Sequence, residues 1–244
     1  SAALADQLID KSGGPADVII TSNAADIWRA ADRGALRPIE SAALESQPAF
    51  LRDPDDYWGA LSVRWHAVYH HEQAGPPALH VRDLGEPEFA GRICLSSSRL
   101  AVNRSLLAYL IEASGVLEAE RLVRRWVRNL AHPPFGSELE LLQALRDGTC
   151  MYGIASWGEP EWGEPEILTG VMPIVSEPWT LEIAAVGVNR HATHPDAAQR
   201  LADWLLRHRE PWNPSAEKPV PPAVQIAGWR DAEARLLAER AGYR

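Results

Sequence analysis

The chain is poor in the residues that usually announce a chemistry. It has only two cysteines, two methionines and three phenylalanines in 244 residues. No zinc-type Cys/His spacing, glycine-rich phosphate loop or Gly-x-Ser-x-Gly elbow occurs, so zinc folding, P-loop chemistry and hydrolase-type nucleophiles are not expected. Nothing assembles into a nucleophile–base pair, and the chain is not expected to be an enzyme. No apolar run reaches the roughly 18 residues that would suggest a membrane span. Cations are also short: 24 Lys and Arg against 33 Asp and Glu leave a net charge of −9. That balance argues against a nucleic-acid partner, which needs a basic face. The chain opens at Ser1 with neither Met nor a signal peptide, as a processed mature chain or a trimmed one would.

What is present is ordinary globular composition, 46% hydrophobic and 23% charged, with strands and helices alternating in an α/β pattern. A helix is predicted over 3–11 and a strand over 17–21. A helix over 24–33 is ended by Gly34, and a strand follows over 61–70. Next come a short strand at 93–95 and helices near 104–113 and 117–130. Ser137 and Glu140 form a capping box for a helix that ends at Gly148. Strands over 151–155 and 180–188, a helix over 195–208 with Pro195 in its first turn, an extended stretch at 217–222 and a helix over 231–241 complete the chain.

The richest passage is residues 91–107 read with Gly148-Thr149-Cys150. Ile93, Cys94 and Leu95 form a short apolar strand that runs into Ser96, Ser97 and Ser98 and then a helix start. A strand end that feeds hydroxyls and free N–H groups into a helix suits a polar or anionic ligand. Ser97 and Ser98 are therefore candidate ligand donors, with helix capping as the competing role. Ser22 and Asn23 end the 17–21 strand, where an α/β sheet presents its ligand side, and they too can simply cap the next helix. Cys94 and Cys150 each sit at a strand-like position beside a helix end and invite pairing, two buried thiols being the alternative. Ten tryptophans are many for this length. Trp157 and Trp162 sit in the near-tandem 157–166 run (Trp-Gly-Glu-Pro-Glu twice), with Trp179 beyond it, as aromatic faces for an organic cation or a partner. His66, His70 and His71 are the only histidine cluster. The first two share a strand face while the third points away, so a His/Glu metal site with Glu72 is the weakest option.

These motifs resemble the bacterial periplasmic ferric-ion-binding proteins, solute receptors of ABC importers. The shared runs are Gly91-Arg92-Ile93-Cys94 with the serines after it, Asn103-Arg104-Ser105-Leu106-Leu107 and Gly148-Thr149-Cys150. In the same order come residues 15–21, 27–31, 51–55, 57–64, 185–188 and 212–214. The resemblance implies a type II, two-lobed periplasmic-binding-protein-like α/β fold. Lobe one would hold residues 1–66 and 185–212, and lobe two 67–184 and 213–244. The family's strand–helix–strand before residues 2–11 has no counterpart here, so lobe one is expected to be reduced, with an open sheet edge. The resemblance also favours a Cys94–Cys150 disulfide and periplasmic localisation.

Within that resemblance the iron site is missing. Aligned through Cys150, the family's ligand Tyr pair falls on Gly158 and Glu159, a further tyrosine falls on Val102, and a lobe-one glutamate falls near Ser22 or Asn23. Arg64 matches the first arginine of a Ser-x-Arg-x-Arg strand that faces a bound anion, while the second falls on His66. An inter-lobe salt bridge is the other role open to Arg64. The expectation is a receptor for a small anionic or polar solute. It would use Ser22, Asn23, Arg64, Ser97, Ser98 and Trp157, need no metal or cofactor, and work with an ABC permease. The alternative is a degenerate homologue acting as an accessory or interaction subunit of a larger assembly.

Overall fold

A computed structural model describes residues 16–75, 80–157, 168–174, 181–209 and 223–244, with the backbone alone at 157, 174, 181 and 223. The helix expected at 3–11 and the extended stretch at 217–222 lie outside these residues, as do Trp162 and Trp179. The chain divides into two compact units: Ser1–Val63 with Glu182–Trp229, and Arg64–Leu181 with Arg230–Arg244.

In unit one, β1 (Val18–Thr21) and β2 (Leu36–Arg37) each run antiparallel to β7 (Leu181–Asn189), with Val18 opposite Val188 and Thr21 opposite Ala185. Helix α1 (Ala24–Asp32) follows β1 and stops where Gly34 turns the chain at φ 65, a conformation that suits glycine. A one-turn helix, α2 (Ala42–Glu45), precedes the core supplied by α6 (Pro195–Arg207), which begins on a proline as the sequence predicts. Ala198, Ala202 and Leu206 recur every fourth residue on α6 and pack on Ile39, Leu44, Val186 and Val188. That spacing is the buried stripe of an amphipathic helix. Gly228 is held to glycine by proximity, because a Cβ there would lie 2.3 Å from the Trp28 ring.

Strand β3 (Trp58–His71) carries the chain from unit one into unit two. In unit two it pairs antiparallel with β5 (Tyr152–Trp157) and with β6 (Val171–Ile174), while β4 (Ile93–Leu95) lies parallel to β5. Helices α3 (Ala101–Ser114) and α4 (Val116–Arg128) turn at Gly115, and α5 (Glu138–Arg146) covers the sheet. Leu141, Leu142 and Leu145 of α5 form a core with Ala67, Tyr69, Ala155 and the two cysteines. Cys94 and Cys150 form a disulfide with Cα atoms 5.9 Å apart. That settles the choice between paired and free thiols. Half of the expected capping box forms: Ser137 Oγ accepts from the Glu140 amide at 3.2 Å, while the Glu140 carboxylate accepts from the Gly136 amide at 2.9 Å, one residue before the cap.

Two local readings change. Helix α7 (Ala223–Ala241) starts eight residues before the expected 231, because Val224, Ile226 and Ala227 are buried and continue it upstream. Strand β6 was not expected, since Pro173 argues against a strand; its ladder to β3 forms regardless, with Pro173 opposite Tyr69. Among the described residues, no helix is long and apolar enough to cross a membrane.

Candidate functional site

In unit two the serine turn grows directly out of buried β4. Its backbone is fixed on both sides. The Ser97 amide donates to the Phe135 carbonyl at 2.7 Å, and the Leu100 amide donates to the Ser97 carbonyl at 3.0 Å. The Asn103 amide group, one turn into α3, donates to the Ser96 carbonyl and hydroxyl and to the Ser97 carbonyl at 2.8–3.0 Å. From the far end of the sequence, buried Tyr243 donates its hydroxyl to the Ser96 carbonyl at 2.6 Å and accepts from Ser98 Oγ at 2.8 Å. Ser98 therefore braces the turn with its hydroxyl. Ser97 is half-buried, and its hydroxyl accepts from the Arg99 amide at 3.3 Å. The turn delivers the chain to α3, which opens at Leu100 with no side chain capping its first turn. Uncapped N–H groups at a helix start favour an anionic partner.

Strand β3 reaches the same feature through His66. Buried His66 places Nε2 3.0 Å from the Val102 carbonyl in that first turn. Arg64 lies two residues earlier and so on the same strand face; it is half-buried. The resemblance gave these two positions as an arginine pair, and here the second is a histidine bound to backbone. Trp157 closes the β5 ladder opposite Trp65; its side chain is outside the described atoms. His70 and His71 also turn to backbone: His70 Nδ1 lies 3.2 Å from the His71 carbonyl, and His71 Nδ1 accepts from the Gln73 amide.

In unit one, Ser22 is exposed at the end of β1, while Asn23 is fully buried and caps α1. Its Oδ1 accepts from the Asp26 amide at 2.8 Å and its Nδ2 donates to Asp26 at 2.6 Å. The next N–H, that of Ala24, donates to the buried Glu182 carboxylate at 2.7 Å. The start of α1 is thus already occupied by this chain's own acid. Neither Glu182 nor Tyr243 was singled out in the sequence, because each acts on a residue roughly 150 positions away; no local pattern marks them.

The tyrosines bear on any iron chemistry. The sequence has five, and three are buried donors to backbone carbonyls: Tyr69 to Ser156, Tyr152 to Ala74 and Tyr243 to Ser96. Burial raises the Tyr69 and Tyr243 phenols above their ordinary range, and the nearby Glu138 carboxylate raises them further. Glu138 itself is buried and accepts from the Ser156 amide and hydroxyl at 2.6 and 2.7 Å. A phenol raised in this way contributes stability that is complete below the ordinary value of 10.0 and is lost as pH climbs beyond it. Spectrophotometric titration is expected to find that Tyr69 and Tyr243 ionise only as the protein unfolds. Free ionisation of all tyrosines near pH 10.0 in the folded protein would contradict their placement.

No protein-family model matches the chain. Over 152 residues, 59% of the chain, it is 31% identical to iron uptake protein A1 of Synechocystis sp., and the match covers 42% of that relative. The chain is thus similar to an iron uptake protein over part of its length. It spans under half the length of the curated relative it matches. Ferric-ion-binding protein A of Pasteurella haemolytica, in its apo form, superposes with a TM-score of 0.84 at 21% identity, covering all of this chain (100%) and 88% of that one. The Trichodesmium protein IdiA (FutA), in complex with iron and citrate, superposes at 0.81 with 24% identity, covering 99% and 88%. The fold shared with these ferric-binding proteins is the type II periplasmic-binding-protein fold, as the motifs implied. The positions aligned with the family's Tyr pair, Gly158 and Glu159, lie outside the described residues.

Proposed function

We propose that the chain is the periplasmic solute-binding receptor of an ABC importer, and that its cargo is a small anionic or polar solute rather than a tyrosinate-held ferric ion. It acts by binding and release, without catalysis. The observation that carries the reading is the start of α3: a helix N-terminus without a side-chain cap, presented by a braced serine turn, with His66 of β3 on its first turn and Arg64 two residues earlier on that strand. A forked guanidinium and the N–H groups of a helix start each suit a carboxylate or phosphate. Arg64, Ser97 and Trp157 are the proposed ligand contacts of unit two. In unit one, Ser22 is taken by itself as a candidate polar contact, exposed at the end of β1. Asn23 and Ser98 hold the backbone that presents them. The commitment of three tyrosine hydroxyls to core carbonyls supports a cargo other than tyrosinate-bound iron, although the relatives' names speak of iron.

Protein purified without chelators and analysed by native mass spectrometry, then titrated with ferric citrate, citrate and inorganic phosphate, tests this reading. The expected result is a retained or titratable anion and no visible phenolate-to-iron absorption band. Arg64→Ala should weaken anion binding roughly tenfold or more, since a hydrogen bond to a charged group contributes about 1.5–3 kcal/mol. Stoichiometric iron with a phenolate band would overturn the proposal. A chain that binds none of these and co-purifies with another subunit would point to the accessory role instead.

A further inference from the structure

Helix α4 carries two stripes of the same period. Ala119, Leu122, Val123 and Trp126 are buried. Arg121, Arg124, Arg125 and Arg128 repeat the spacing two positions later. Two positions rotate a helix by about 200°, so Arg121, Arg124 and Arg128 lie exposed on the face away from the core, while half-buried Arg125 packs its stem against Gly85. With Val127 and Ala241 they line a cavity of about 370 Å³, all within unit two.

Partial neutralisation leaves this face positive. Arg121 lies 3.3 Å from Glu118, Arg124 lies 2.7 Å from Glu120, and Arg125 lies 3.9 Å from Glu118. Arg128 has no ion-pair partner among the described residues. These exposed pairs hold their arginines weakly, and two carboxylates do not balance four guanidinium groups. A helix C-terminus attracts cations in its last turn, which accounts for Arg125 and Arg128 but not for Arg121 and Arg124. A concentrated positive stripe on a chain of net charge −9 is a local feature, not a consequence of overall charge.

We propose that this groove docks an extended acidic peptide segment of a partner protein. Arg124 and Arg128 are four residues apart, about 6 Å along the helix axis at 1.5 Å per residue. Alternate side chains of an extended peptide recur at about 6.5–7 Å on one side, so a Glu-x-Glu pattern matches the two cations. Val127, Ala241 and the arginine stems offer apolar surface to the intervening methylenes. A single small anion would engage only part of a stripe that spans two helical turns. The proposal is independent of the cargo assigned above.

The test uses the whole chain and a fluorescein-labelled hexaglutamate peptide, followed by anisotropy at low salt, with inorganic phosphate as competitor. Saturable binding that weakens with salt is expected, reduced at least tenfold in R124E/R128E and unchanged in R33E, a charge reversal on an exposed arginine of unit one. Thermal melts check that each variant folds, and R124Q/R128Q replaces the reversal if it does not. No saturable binding, equal loss in R33E, or binding indifferent to the α4 substitutions would overturn the proposal. Displacement of the peptide by equimolar phosphate would also overturn it, by making the groove a small-anion site.

Discussion

Replacing both members of the disulfide, as Cys94→Ala with Cys150→Ala, is expected to lower the melting temperature by about 10 °C. The bridge closes a loop with a sequence separation of 56 residues. In the chain-entropy description a loop of that length stabilises by about 4 kcal/mol, and each kcal/mol shifts the midpoint of a chain this size by about 2–4 °C. Both sulfurs sit in the core that α5 forms on β4 and β5, so their removal also loosens packing there. The bridge ties the strand that presents the serine turn to the loop that leads into β5, and anion binding should weaken with stability. Calorimetry of the double variant beside the parent checks this. Matching melting temperatures would show that the bridge contributes nothing to the fold.

Tyr243→Ala is expected to cost about 3–5 kcal/mol, the range for deleting a buried aromatic ring. Tyr243 is 3% exposed and touches the turn twice, through its hydroxyl to the Ser96 carbonyl and through its carbonyl from Ser98 Oγ. Tyr243→Phe separates the two contributions. It keeps the ring and the backbone acceptor and loses one hydrogen bond, for about 0.5–1.5 kcal/mol. The Ser96 carbonyl retains a donor in Asn103, which should hold the loss toward the lower end. Urea unfolding gives the energies, and amide exchange at residues 97–100 reports the turn. If the alanine variant cost no more than the phenylalanine one, the ring would not be part of the brace.

Much of the fold was legible because its causes are local. Strand β1, strand β4, α1 stopped at Gly34 and α6 begun on Pro195 are set by apolar period, one glycine and one proline. The half of the Ser137–Glu140 capping box that forms involves residues three apart. The cap formed by Asn23 was visible as one of two roles, since a strand end and a helix start are the same place in sequence. Strand β6 was missed because Pro173 is a strong local argument against a strand, and only pairing with β3 answers it. The early start of α7 was missed because the burial of Val224, Ile226 and Ala227 supplies what the local pattern lacked.

The sequence by itself determined the α/β class and the order of most elements, and it carried the collinear motifs that resemble the ferric-binding proteins. Periodicity, capping and collinear motifs are properties of neighbouring residues or of their order. Tertiary structure alone decided what each polar residue does. It set Glu182 on the amide of Ala24, Glu138 on Ser156 and Tyr243 on the serine turn, and it turned His66 to the backbone of α3. Buried donors and acceptors must find partners wherever packing brings them together, and sequence distance does not enter that requirement.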